Sequence, residues 1–253
     1  MTDTHSHLYE PEFDADREDV LLRAQAAGVT RMFLPNINEE SIPRMMALAE
    51  RHPGYCFPMM GLHPEDVKAD WEEVLARMAV QLDGMSAVGE VGLDFYWDTT
   101  FREEQMQAFG CQAEWARDRG LPLVIHQRKA ESEVFEVLSH FPKDSLSGIF
   151  HCFSGSVETA RRVLAYERFY FGIGGVVTFK NAKLGAVLRE AVPLSRVVLE
   201  TDCPYLSPVP RRGERNESSY LIYVRDKLSE IYGVSPEEVE MVTDDNVLRL
   251  FCV

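Results

Sequence analysis

The chain has 253 residues, 45% of them hydrophobic and 26% charged. That is ordinary globular composition with enough apolar material for a full core, and it excludes a disordered chain. With 26 Lys and Arg against 41 Asp and Glu, the formal net charge is −15. This excludes a protein that grips nucleic acid by a broad basic face, though not one that meets phosphate through bound cations.

Met1 is followed at once by Thr2-Asp3-Thr4-His5-Ser6-His7, without a basic start or an apolar run. No targeting segment is expected, and no stretch approaches the about 20 apolar residues that a membrane-spanning helix needs. The first predicted strand is Thr2 to His7, followed by an amphipathic stretch, Asp16 to Ala27, with Val20, Leu21, Ala24 and Ala27 on one face. Further strands are predicted at Thr30 to Pro35, Tyr55 to Met60 and Ser86 to Glu90. A long helix follows over Phe101 to Arg119, its face carrying Met106, Phe109, Ala113 and Ala116. The remaining strands fall at Pro122 to His126, Gly148 to His151, Arg168 to Gly172 and Arg196 to Thr201. Eight strands alternating with helical stretches predict an α/β fold, a closed (β/α)8 TIM barrel, as a single domain over 1–253. The rival, an open doubly wound sheet, usually has a glycine-rich loop after its first strand; here that strand ends in His-Ser-His.

Five of the seven histidines, His5, His7, His63, His126 and His151, lie at or just after predicted strand ends. His52 and His140 fall where helices should end, a place an imidazole occupies for the helix dipole alone. His5 and His7, two apart on a strand, should face the same side, and two imidazoles so placed commonly hold a divalent metal. Glu90 sits in the apolar run Ala87-Val88-Gly89-Glu90-Val91-Gly92. A carboxylate there is costly to bury without a partner, and a cation would remove that cost. His126 and His151 close apolar strands, and Asp202 follows Val197-Val198-Leu199-Glu200-Thr201. Singly, each has a bland alternative: a hydrogen-bonded core histidine, or a turn-forming Asp before Pro204. Together, His5, His7, Glu90, His126, His151 and Asp202 end strands that meet at one face of a barrel, and six donors suffice for two metals. Nitrogen-rich ligation suits Zn, Ni, Mn or Fe, whereas Mg prefers oxygen.

These motifs, in this order, resemble the TatD-type deoxyribonuclease family of the amidohydrolase superfamily. The likeness covers essentially the whole chain: Asp3-Thr4-His5-Ser6-His7-Leu8, Gly61-Leu62-His63-Pro64, Gly89-Glu90-Val91-Gly92-Leu93-Asp94, Ile125-His126-Gln127-Arg128, His151-Cys152-Phe153-Ser154-Gly155, Glu200-Thr201-Asp202-Cys203-Pro204, Arg215-Asn216-Glu217 and Asn246-Val247-Leu248-Arg249-Leu250-Phe251. The resemblance implies a hydrolase cleaving DNA phosphodiesters with two divalent metal ions. One metal would take His5, His7, Glu90 and Asp202. The other would take Glu90, His126 and His151, so that Glu90 bridges. His63 would touch the scissile phosphate. Two residues depart from the family's pattern: Glu65, where many relatives have His, and Ser218, where Pro is usual.

Asp202 is the candidate to accept the proton of the attacking water. Arg128 could bind a phosphate oxygen or form a surface salt bridge. Arg211, Arg212 and Arg215 form a basic cluster after the eighth strand, where barrels often bind phosphate. Cys152 and Cys203, next to proposed ligands, should point away from the metals. The five cysteines, Cys56, Cys111, Cys152, Cys203 and Cys252, are scattered without a CxxC pair, which points to reduced thiols in the cytoplasm. DNA or another phosphodiester would be a transient partner, with no membrane and no obligate protein partner expected. The alternative function is hydrolysis of a small-molecule ester, lactone or amide by the same metal centre. A non-catalytic protein on this scaffold would be expected to have lost ligands, and none of the six is missing.

Overall fold

The structure, a computed structural model, describes residues 1–251; Cys252 lies outside them. Eight parallel strands follow one another: β1 (Thr2–Asp3), β2 (Arg31–Leu34), β3 (Cys56–Pro58), β4 (Val88–Asp94), β5 (Leu123–Arg128), β6 (Gly148–Phe150), β7 (Phe169–Ile173) and β8 (Val197–Leu199). Between and after them run α1 (Arg17–Ala26), α2 (Ile42–Arg51), α3 (Trp71–Ala79), α4 (Arg102–Arg119), α5 (Glu131–Ser139), α6 (Val157–Leu164), α7 (Leu184–Ala191), α8 (Leu221–Tyr232) and α9 (Pro236–Phe251). Each predicted strand is present, within a few residues of its expected bounds.

Strands β1 to β3 form one ladder and β4 to β8 another. The ring closes at two joints. One is a bridge between Met60 and Val88, the other a bridge between Ser6 and Cys203. Backbone hydrogen bonds flank both: Gly89 N to Met60 O, Thr4 N to Leu199 O, Asp202 N to His5 O and His7 N to Cys203 O, all 2.9–3.0 Å. The result is the (β/α)8 barrel expected from the alternation of elements.

Two apolar layers hold it together. The larger lies between strands and helices, and includes Val20, Leu21 and Ala24 of α1 and Ala108, Phe109, Ala113 and Ala116 of α4. Met106 is only half-buried. The smaller fills the barrel with Phe33, Met59, Ala87, Val124, Ile149 and Val198, closed off by Val247, Leu250 and Phe251 of α9. Phe251 stacks on Phe33 with centroids 3.9 Å apart. The last helix thus plugs one end of the barrel, and the polar cluster occupies the other.

Local chemistry sets element ends. Ser156 and Thr159 make a reciprocal cap at the start of α6. Gly120, at φ +65, ends the 18-residue α4. His52 and His140 are the C-caps of α2 and α5, as expected.

Candidate metal centre

The first strand is shorter than expected. After Asp3 the chain bends at Thr4 and is shared between neighbours: Ser6 N donates to Phe33 O on β2, and His7 N to Cys203 O beyond β8. This still directs His5 and His7 to the same side, with their Nε2 atoms 3.1 Å apart.

Glu90 is the centre of the cluster. Its Oε2 lies 3.1 Å from His5 Nε2 and 3.5 Å from His7 Nε2. Its Oε1 lies 2.9 Å from His126 Nδ1, 3.6 Å from His63 Nε2 and 3.7 Å from His151 Nε2. Asp202 Oδ1 lies 3.7–3.8 Å from the Nε2 atoms of His5, His7 and His151. The His5 and His151 rings stack at 3.5 Å. All six expected ligands therefore converge at one mouth. Four tight groups of possible ligand atoms stand out among the described residues: His5 with His7 and Glu90, His5 with His151 and Asp202, His63 with Glu90 and His126, and His151 with Cys152 and Glu200.

Outer partners orient the imidazoles. Tyr9 Oη donates to Pro35 O (2.5 Å), so it accepts from His7 Nδ1 (3.0 Å) and leaves the Nε2 lone pair facing inward. Asp94 Oδ2 accepts from His126 Nε2 (2.8 Å), which leaves Nδ1 for the cluster. Glu200 Oε1 sits 3.2 Å from His151 Nδ1. Carboxylate or hydroxyl partners behind inward-facing nitrogens are the usual backing of metal-bound histidines, so this donor set fits divalent cations. His63 differs. Its Nδ1 accepts from Glu65 N (3.2 Å), which puts the proton of the neutral ring on Nε2, toward the cavity.

Charge follows from this packing. Burial penalises the charge on Glu90, yet His5, His63 and His151 around it hold its pKa well below the ordinary carboxylate value. Burial also opposes charge on His126, but its bonds to Asp94 and Glu90 raise its pKa to about 9. His151 is raised to about 10, the burial penalty being outweighed by Glu200, Asp202 and Glu90. Burial lowers His5 well below the usual histidine value, and neighbouring His151 lowers it further. Asp202 is raised by burial to about 6.

Behind β1, Asp3 is fully buried and accepts four hydrogen bonds: from His5 N (3.3 Å), Thr201 N (3.0 Å), Thr201 Oγ1 (2.6 Å) and Ser218 Oγ (2.6 Å). It ties the His5 segment to the Asp202 segment. Ser218, where the resembled family usually has Pro, is thus a donor in this latch rather than a surface change.

Other expectations are corrected. The arginine cluster does not reach the mouth. Arg215 pairs with Asp16 at 2.7 Å and lies over Phe13. Arg211 faces Glu214 and Tyr220, and Arg212 lies over Phe179. Their aromatic and acidic neighbours use the guanidinium groups structurally. Arg128 does line the cavity, but stacks 3.8 Å from the Tyr96 ring instead of meeting a carboxylate. Cys152 does not turn away from the site. At φ +46 it lines the same cavity, and its N–H donates to Glu200 Oε1 (2.6 Å). Cys203 is buried and packs its thiol against Ser6 Oγ. Cys56, Cys111, Cys152 and Cys203 are unpaired.

Asp94, Glu200 and Tyr9 were not picked out from the sequence. Asp94 was the most accessible of them, because strand period two places it on the face of Glu90.

The cluster opens into a cavity of about 730 Å³, lined by His7, His63, Glu90, His126, His151 and Asp202 with Trp97, Arg128 and Tyr205. Fold and site define a (β/α)8 barrel with a histidine–carboxylate cluster at the mouth opposite its plugged end. Residues 2–252 match the family described as TatD related DNase, and the chain belongs to that family. It is 38% identical to a Bacillus subtilis protein named uncharacterized metal-dependent hydrolase YabD, over 99% of this chain and 98% of that one. It is 32% identical to the 3'-5' ssDNA/RNA exonuclease TatD of Pectobacterium carotovorum, over 99% of each. The solved structure of YJJV, a TatD homologue from Escherichia coli, superposes with a TM-score of 0.89 at 30% identity, covering 100% of this chain and 98% of that one. Among the described residues, no helix is long and apolar enough to cross a membrane.

Proposed function

We propose that the chain is a single-domain phosphodiesterase that cleaves DNA using two divalent cations held by His5, His7, Glu90, His126, His151 and Asp202. The observation that carries this is the division of labour on Glu90. One carboxylate oxygen faces His5 and His7, the other faces His126, His151 and His63. A carboxylate so placed can share two ions. The relative named an ssDNA/RNA exonuclease supports the substrate class. The nitrogen-rich donors favour Zn, Ni, Mn or Fe over Mg.

Cations bound there would supply an acidified water and positive charge opposite the phosphoryl oxygens. The chain's own residues do the rest. Asp202, whose carboxylate lies among the His5, His7 and His151 nitrogens and lines the cavity, is placed to take the proton of that water. His63 offers Nε2–H to a phosphoryl or leaving oxygen, because the Glu65 amide occupies Nδ1. Arg128 is the only Lys or Arg lining the cavity among the described residues, and it adds a cation at the rim.

The test is metal analysis together with activity on single-stranded DNA and on a panel of lactones, small esters and amides. About two divalent ions per chain and DNA cleavage that falls at least about 100-fold in Glu90→Ala are expected, as for loss of a metal-holding group. Lactone or amide turnover with DNA cleavage no faster than in Glu90→Ala would favour the small-molecule reading instead.

A further inference from the structure

Beside the histidines, the chain leaving β4 exposes two aromatic rings. Trp97 is 71% exposed and Tyr96 47% exposed, set edge to face with centroids 4.6 Å apart. The Arg128 guanidinium lies 3.8 Å from the Tyr96 centroid and 5.4 Å from that of Trp97. Three flat π groups thus stand together at the rim, and Trp97 and Arg128 line the cavity that holds the cluster. Several arginines on this protein end on carboxylates, among them Arg23 on Glu217, Arg77 on Glu39 and Arg215 on Asp16. Arg128 makes no such pair among the described residues, so its charge is free for a ligand while its plane is held by the rings.

The platform is rigidly spaced from the chemistry. Asp94 holds both: its Oδ2 meets His126 Nε2 and its Oδ1 accepts from Tyr96 N at 2.8 Å. Phe95 N donates to Arg128 O at 2.9 Å, pinning the turn after β4 to the end of β5. One buried carboxylate therefore fixes the distance between the proposed metal ligands and the exposed rings.

We propose that Trp97 and Tyr96, with Arg128 against them, are the stacking site for a nucleobase of single-stranded nucleic acid next to the phosphate at the cluster. This rests on the phosphodiesterase reading and adds the substrate's base to it. A flat aromatic face takes any base, and a guanidinium beside it meets the adjoining phosphate. Stacking uses the face of a base rather than its Watson–Crick edge, so the site accepts sequence broadly and requires an unpaired base.

The experiment compares kcat/KM of the metal-loaded enzyme on a short oligodeoxynucleotide and on the same strand with one abasic residue, moved position by position. At one position the wild type is expected to favour the base by roughly 5- to 150-fold, the range of stacking on one base. In Trp97→Leu that ratio should fall toward one, and in Trp97→Phe it should largely persist. The ratio is insensitive to partial misfolding, which lowers both rates. Tryptophan fluorescence is the second readout: the oligonucleotide should quench the wild type, and the quench should vanish in Trp97→Phe. A wild-type ratio of one at every position, or a ratio unchanged in Trp97→Leu, overturns the proposal. If no phosphodiester is cleaved at all, the phosphodiesterase reading fails, and the quench alone then decides: its absence overturns the stacking site too.

Discussion

His126 and His151 both carry a proton near neutral pH in the ion-free protein, with pKa values raised to about 9 and about 10. A cation can use their inward nitrogens only after those protons leave. Below about pH 9 each step toward acid therefore strengthens the proton's competition, and apparent affinity climbs as pH rises toward that range. Calorimetric titration with zinc near pH 7.5, in two buffers of different ionisation enthalpy, should show release of about one to two protons per chain; uptake or no release would contradict the assignment. The proposed ligands could be read from the sequence because each is a polar residue closing or interrupting an apolar strand. Their supports could not. Tyr9, Asp94 and Glu200 act through a second side chain, and only folding shows which imidazole each one touches. The same holds for Asp3, whose four donors come from positions as far apart as His5 and Ser218.

Strand ends carry the site, and two glycines show how closely these ends are packed. Gly92 in β4 adopts φ +131 against the carbonyl of His126, a place no other residue fits without strain. Gly172 in β7 lies against the Glu200 carboxylate, leaving no space for a Cβ. Gly172→Ala should push Glu200 off His151. The expected result is a roughly 10- to 100-fold loss of metal affinity, as for other disturbed partners of metal-bound histidines. Competition with a chromogenic chelator measures the affinity, and circular dichroism confirms that the barrel remains. The eight strands were legible because each is a short apolar run between helix-length stretches. The split of the ring into two ladders was not, because the joints at Met60–Val88 and Ser6–Cys203 have no local pattern. Nor was the role of α9: its apolar residues signal a buried helix, but not that it plugs the barrel.

A molecule of net charge −15 repels a polyanion at long range, so its hold on DNA must be short-ranged. One arginine at the cavity displaces about one phosphate counterion. Oligonucleotide affinity of the metal-loaded protein should change by only about fourfold between 50 and 200 mM salt, against the 10³–10⁵ losses of proteins with many phosphate contacts. Fluorescence anisotropy with a cleavage-resistant strand checks this; a steep salt dependence would reveal a basic track elsewhere. The acidic balance was plain in the composition, but the placement of the arginines was not: after the eighth strand Arg211 and Arg215 pair with Glu214 and Asp16, and Arg212 lies over Phe179.

His5, His7 and His63 belong to the three-strand arc, whereas Glu90, His126, His151 and Asp202 belong to the five-strand arc. Every pairing of Glu90 or Asp202 with His5 or His7 therefore joins one arc to the other across the mouth. An ion clasped between them would rivet the staves of one arc to those of the other, so that the protein's girth and its chemistry would tighten or slacken together.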